Sequence, residues 1–306
     1  MAMELNDKAE IDTSQVTDQR GSGGGGSLAG IPLPSGRGGW VGLLIAVLVT
    51  LVGGGTFGYS QLADDPGGTA ADAPALRERC SQPDRLKNLD CRNALYVNSV
   101  QDYWRDALPQ RFGRPYKAAQ TTFFSSGVRT GCGAADSGVG PFYCPADQRI
   151  YIDLTFYRTL ADQLGARGEF AQPYVLAHEY GHHVQTLLGT EGQMRRAQQR
   201  DPGNANRYSV MLELQADCYA GAWARNATGT DDRAGQPLFT SITATDIQEG
   251  LDTAARIGDD AIQQRMGGRV NESAFTHGSS ADRQRWFRTG YDAGDPTRCD
   301  TFAGAL

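Results

Sequence analysis

Histidine is scarce in this chain, four among 306 residues, and no two of its six cysteines stand in C-x-x-C spacing. The second absence removes zinc ribbons and thioredoxin-type redox sites. Basic residues are also in the minority, 29 against 35 acidic ones, for a formal net charge of −6. Without a basic stripe to follow a phosphate backbone, or a glycine-rich loop between strand and helix, nucleic acid is excluded as a partner. No internal repeat is present. What remains is globular composition, 40% apolar and 21% charged, which suits one domain with appendages.

The six cysteines, Cys80, Cys91, Cys132, Cys144, Cys218 and Cys299, make an even count that reads first as disulfides. Pairing near neighbours joins Cys80 to Cys91 and Cys132 to Cys144, leaving Cys218 for Cys299; six buried thiols in a reducing compartment are the alternative.

Residues 1–39 include "RGSGGGGSLAG" and few large apolar groups, so they are expected to be disordered. Residues 40–59, "WVGLLIAVLVTLVGGGTFGY", carry no charge and have aromatics at both ends, which predicts a transmembrane helix. Their most apolar part, "LLIAVLVTLV", also suits a signal-peptide core, but signal peptides seldom begin so far into a chain. Arg20 and Arg37 precede the span while Asp64 and Asp65 follow it, predicting a cytoplasmic N-terminus and an extracytoplasmic domain. Residues 60–76 are small, acidic and broken by Pro and Gly, a linker, so the folded domain is expected over 77–306.

Within that domain, Leu95, Val97, Val100, Trp104 and Leu108 fall at largely helical spacing and predict a core helix ending before Pro109. "AQTTFFSSGV" and "GPFYCPADQRIYIDLTF" read as three short strands, "PADQ" turning a hairpin. Later segments follow a helical pattern apart from 187–207, read as a loop. The fold class is α+β, a small antiparallel sheet followed by a mainly helical half.

Three of the four histidines fall within "QPYVLAHEYGHHVQTLLG", residues 172–189. Pro173 near its start and Gly189 after its end bound a helix. His178 and His182 are then one turn apart on one face, with Glu179 beside them, an H-E-x-x-H arrangement able to share one Zn2+. His183 points about 100° away and serves packing or a hydrogen bond. A catalytic zinc needs a third protein ligand and an open position. In "ELQAD", residues 213–217, Glu213 and Asp217 are again one turn apart, so one carboxylate can bind the ion while the other accepts a hydrogen bond from a ligand histidine. Small residues Ala220, Gly221 and Ala224 on that helix, and Gly181 on the first, suit close helix contact. Trp223, Tyr219, Trp286 and Phe287 read as core.

"HEYGHHVQTLLG", "ELQADCYAGAWA" and "GPFYCPADQRIYIDL" together resemble the putative neutral zinc metallopeptidase family over nearly the whole chain. The first two also resemble the wider gluzincin group, in which H-E-x-x-H is completed by a glutamate on a later helix and an aspartate four residues on; this implies Glu213 as the third ligand and Asp217 as the carboxylate behind a ligand histidine. The resemblance implies a zincin-like fold and a membrane-tethered zinc peptidase of peptides or proteins, anchored in the lipid bilayer. Glu179 would be the general base. For the oxyanion, "FTHGSSADRQRW" resembles the "THP" segment of membrane-linked gluzincins, with Gly278 in place of proline. It makes His277 the candidate donor, with Arg283 at the matching offset. The competing function is a zinc-stabilised binding or scaffold protein at the membrane, which has no use for a base at 179.

Overall fold

A computed structural model describes residues 3–20 and 73–306. In chain order the elements are β1 (Glu4–Leu5), β2 (Val16–Asp18), α1 (Ala73–Cys80), α2 (Leu89–Phe112), β3 (Gln120–Phe124), β4 (Gly127–Thr130), β5 (Gly133–Asp136), β6 (Phe142–Cys144), β7 (Arg149–Asp153), α3 (Phe156–Asp162), α4 (Ala171–Leu188), α5 (Thr190–Arg200), α6 (Ala205–Asn226), β8 (Phe239–Ser241), α7 (Ala244–Arg256), α8 (Asp259–Arg265) and α9 (Ser280–Ala293). Strands precede most helices, as the α+β reading expects.

The main sheet has the order β2-β3-β7-β6. It is mixed, which corrects the expectation of an antiparallel sheet: β2–β3 and β3–β7 are parallel, and only the β6–β7 hairpin is antiparallel. The turn chemistry of "PADQ" announces the hairpin, whereas parallel neighbours are joined through distant chain and leave no local signal. Two further strand pairs, β4–β5 and β1–β8, are antiparallel.

Helix α2 runs through Pro109 to Phe112 rather than stopping before the proline. The proline sits in the last turn, and Gly113 closes the helix in the left-handed region, donating to the Pro109 carbonyl. Leu95, Val97, Val100, Trp104 and Leu108 are all fully buried. Segment 187–207 is largely helical, forming α5, although Met194 and Ala197 are its only buried residues. All three disulfides pair as expected, Cys80–Cys91, Cys132–Cys144 and Cys218–Cys299.

Residues 3–20 correct the expectation of disorder over 1–39; residues 21–39, the apolar run 40–59 and most of the linker lie outside the described residues. The arm crosses the domain as an ordered strap. Its β1 pairs with β8, its β2 with β3, and Ala9 and Val16 are buried. Asp12 exchanges two backbone hydrogen bonds with the buried Asn98 amide (2.8 and 3.0 Å), and Gln101 donates to Gln15 at 2.6 Å. The folded unit therefore includes sequence on both sides of the run 40–59. Among the described residues no helix is long and apolar enough to cross a membrane.

Deleting residues 1–20 strips Asn98 and Gln101 of these partners. Each buried group left unsatisfied costs about 1–3 kcal/mol, so the truncated protein should lose about 3 kcal/mol or more. Denaturant unfolding reads this directly, and an unchanged midpoint would show the strap to be ornamental.

Candidate functional site

Helices α4 and α6 carry the predicted ligands, and small residues let them approach. A Cβ on Gly181 of α4 would stand 3.0 Å from the Ala216 Cα of α6, and one on Gly290 of α9 would stand 1.9 Å from the Cys218 carbonyl oxygen. Gly221, expected to face a helix closely, faces α9, its Cβ position 2.0 Å from the Phe287 carbonyl. These contacts bring three helices to one point and set Arg283 of α9 beside Asp217.

His178, His182 and Glu213 converge there. His178 Nε2 lies 3.2 Å from Glu213 Oε2 and 3.2 Å from His182 Nε2, which is 3.5 Å from Glu213 Oε1. A tetrahedral zinc site with bonds of about 2.0–2.1 Å has edges of about 3.3–3.4 Å. The three donors thus fit three corners.

The hydrogen bonds behind the ligands decide what the donors present. His178 Nδ1–H donates to Asp217 Oδ1 (2.9 Å), leaving a lone pair on Nε2. His182 Nδ1–H donates to Gln185 Oε1 (2.9 Å). The Gln185 amide cannot turn over, because its nitrogen donates to the Leu212 carbonyl and to Gln215 Oε1, and Gln215 in turn donates to the Cys299 carbonyl. With both rings neutral, two imidazole lone pairs and a carboxylate face one another, an arrangement in which a cation takes the place of the proton that His178 otherwise carries towards Glu213. Zn2+ suits this nitrogen-and-oxygen set.

Asp217 anchors the rear of the site. Its Oδ1 accepts from the Tyr174 hydroxyl (2.6 Å), His178 and Arg283 Nη2 (3.0 Å), and its Oδ2 accepts from Arg283 Nε (2.8 Å). Burial alone would raise this carboxyl, but Arg283 and His178 more than offset it and hold it at about 2. Glu213 is likewise buried yet kept well below the carboxylate range by His182, His277 and His178. Burial would lower His178, but Asp217 and Glu213 overcome it and push it up to about 10; the same field favours a metal, which competes with that proton. Burial keeps His182 below its ordinary value and neutral.

Glu179 has the opposite environment from Asp217. Burial pushes its carboxyl up to about 7, and Glu213 adds to the rise, while His178 and the Tyr143 backbone N–H limit it. It lines a cavity of about 110 Å³ together with the three ligands, His277 and Arg283. The other cavity walls are apolar, among them Phe156, Leu164, Val175, Ile257 and Ile262.

His277 lies just before α9, whose N-cap is Ser279. Asp259, at the start of α8, holds it: Oδ2 accepts the backbone N–H groups of Thr276, His277 and Gly278 (2.7, 2.7 and 3.0 Å), and Oδ1 faces His277 Nδ1 at 3.2 Å. Gly278 has φ of +98° and donates its N–H. Proline can do neither, which accounts for the departure from "THP". Burial lowers the His277 pKa, but Glu213 and Asp259 outweigh it and raise it.

All six predicted site residues thus share one pocket or its immediate wall. His183 does not join them; it is buried between the Tyr143 hydroxyl and the Lys117 carbonyl. Of the predicted core aromatics, Tyr219, Trp223 and Phe287 are buried and Trp286 is half-buried. Sequence reading missed Tyr174, Gln185 and Asp259. Tyr174 and Gln185 stand at i−4 from His178 and i+3 from His182, a helical spacing that could have flagged them; Asp259 gave no local sign. The other clustered His/Cys/Asp/Glu group among the described residues, around Cys80 and Cys91, has its sulfurs tied in a disulfide.

The sequence model of the family described as Putative neutral zinc metallopeptidase matches residues 5–302. Uncharacterized protein YpfJ of Escherichia coli (strain K12) is 40% identical over 298 residues, covering 96% of this chain and 98% of the relative. Uncharacterized protein Rv2575 of Mycobacterium tuberculosis (strain ATCC 25618 / H37Rv) is 45% identical over 257 residues, covering 80% and 85%. No solved structure matches the chain.

Replacing Asp217 by Asn removes the charge behind His178 while keeping its shape. Zinc affinity should fall about 10–100-fold, read by competition with a chromogenic chelator; wild-type affinity would detach Asp217 from the site.

Proposed function

The chain belongs to the putative neutral zinc metallopeptidase family, and from that premise we propose that it cleaves peptides or proteins outside the cytoplasmic membrane, to which residues 40–59 hold it. The observation that carries the reading is the approach of Glu213 to both histidines, 3.2 and 3.5 Å, with Glu179 lining the same cavity.

His178, His182 and Glu213 would hold the metal. When bound, Zn2+ supplies Lewis acidity, lowering the pKa of water toward about 7 and polarising a carbonyl. Glu179, whose carboxyl stands at about 7, takes the proton of the attacking water and passes it to the departing amine. The Tyr143 backbone N–H, which Glu179 accepts, steadies that carboxylate. His277, held by Asp259 and raised in pKa, donates to the oxyanion as it develops. Arg283 acts at one remove, fixing Asp217 and through it His178. The apolar cavity wall favours a substrate with an apolar side chain beside the scissile bond.

A zinc-stabilised scaffold fits less well. Structural zinc sites are closed by four protein ligands, whereas three donors here face a cavity that also receives a buried acid. The extracytoplasmic placement rests on the disulfides: all six cysteines are paired, and such bonds persist in oxidising compartments.

In the full-length protein, Glu179→Gln should keep zinc and lose casein cleavage by about 10²–10⁴-fold; undiminished cleavage rules out the peptidase mechanism. His277→Ala should lower kcat by about 10²–10³-fold with zinc retained. If kcat instead holds steady, His277 has no part in the chemistry.

A further inference from the structure

The metal donors lie where two cavities meet. Glu179, His182 and Glu213 line both the cavity of about 110 Å³ described above and a second of about 50 Å³. The second lies on the α5 side, walled by Phe142, Tyr143, Pro145 and Leu212 and bordered by Glu191 and Arg195. Phe156 and Ile257 are half-buried at the first cavity, and the Arg195 side chain is 41% exposed at the second, so both reach the surface.

Two stretches of chain run from one cavity to the other in sequence order. On α4, Tyr174, Val175 and His178 line the first and Gln185 the second, with Glu179 and His182 common to both. In the same way Val139, Gly140 and Pro141 line the first, and Phe142, Tyr143 and Pro145 the second. Gln185 is 11 residues beyond Tyr174 (185 − 174). That is about 16 Å of helix at about 1.5 Å per residue, the length of about five residues of extended chain at about 3.3 Å each. The reacting centre falls inside this span, so substrate residues have room on both sides of the scissile bond.

An exopeptidase must also hold the end of its substrate. A terminal ammonium calls for a carboxylate free to face it, and a terminal carboxylate for a free cation. Among the described residues, the charges bordering the two cavities, metal donors and Glu179 aside, are already matched. Arg283 pairs with Asp217 at 2.8 Å, His277 faces Asp259 at 3.2 Å and Arg195 pairs with Glu191 at 2.6 Å. Glu191 accepts from Arg195 on one oxygen and from the Thr186 hydroxyl on the other, at 2.9 Å. A terminus drawn into either cavity would give up its hydration without gaining a counter-charge.

We infer that the site is an endopeptidase cleft, which takes an extended internal segment of polypeptide, seats an apolar side chain in the first cavity and a smaller side chain in the second, and lets the chain continue past both. The substrate class is therefore defined by exposed backbone and side chains, and its ends go unread. This deepens the peptidase reading of the site and rests on it, and the two fail in different ways.

The zinc-loaded full-length protein is given a mixture of decapeptides randomised at their central positions, in one preparation with free ends and in another acetylated and amidated, and mass spectrometry of the products locates each cut. Both preparations should be cut at internal bonds at rates within about threefold of each other, with apolar residues enriched on one side of the cut and small residues on the other. A loss of about tenfold or more on blocking the ends, or release of single terminal residues, overturns the endopeptidase cleft and leaves the peptidase chemistry standing. Absence of any cleavage, or cleavage that Glu179→Gln does not diminish, overturns the peptidase reading and the cleft with it.

Discussion

The Asp217 carboxylate is the joint on which the site turns. Its oxygens are shared by Tyr174 and His178 from α4 and by Arg283 from α9, while it stands on α6 itself. Three helices are thereby referred to one charge. Burying a carboxylate this deeply is costly unless its oxygens are answered, and here both accept hydrogen bonds, Oδ1 three and Oδ2 one. The saturation fixes the His178 tautomer, aims Nε2 at Glu213, and leaves Glu213 to face His182. Small residues supply the complementary constraint, since the helices could not come within reach of Asp217 if Gly181 or Gly290 carried a side chain.

Two buried acids that both neighbour His178, Glu179 in sequence and Asp217 by hydrogen bond, are driven in opposite directions. Asp217 is surrounded by an arginine and an imidazole and stays ionised down to about 2, whereas Glu179 borders apolar walls and another carboxylate and rises to about 7. Environment therefore separates a permanent anion that orients from an acid that exchanges a proton near neutrality. His277 extends this division, because Asp259 holds it by three backbone N–H groups as well as through its ring.

The ligands were legible because helical spacing is local. His178 with His182, and Glu213 with Asp217, are each one turn apart, and helix boundaries at Pro173 and Gly189 put them on a face. Near-neighbour spacing carried two disulfides in the same way, and the third followed by remainder. What stayed hidden depends on chain remote in sequence. Asp259 meets His277 across 18 residues and Gln185 meets Gln215 across 30. The parallel strands gain their order from remote partners, 29 residues on for Gln120 with Arg149 (149 − 120) and 105 for the strap's Val16 with Thr121 (121 − 16). The strap's polar, charge-rich composition looks unfoldable alone, and it folds because the domain supplies the apolar surface and hydrogen bonds it lacks.

The chain of amides from the Cys299 carbonyl through Gln215 and Gln185 to His182 sets an order of events during biosynthesis. Both imidazoles emerge from the ribosome before the group that orients the second of them is secured, because that group's anchor, Cys299, lies 117 residues beyond His182 (299 − 182) and is itself tethered by the Cys218–Cys299 bridge. A nascent polypeptide holds the motif without the machinery that aims it. The aim of the second imidazole thus belongs to the closed, oxidised domain and not to the helix that carries the motif.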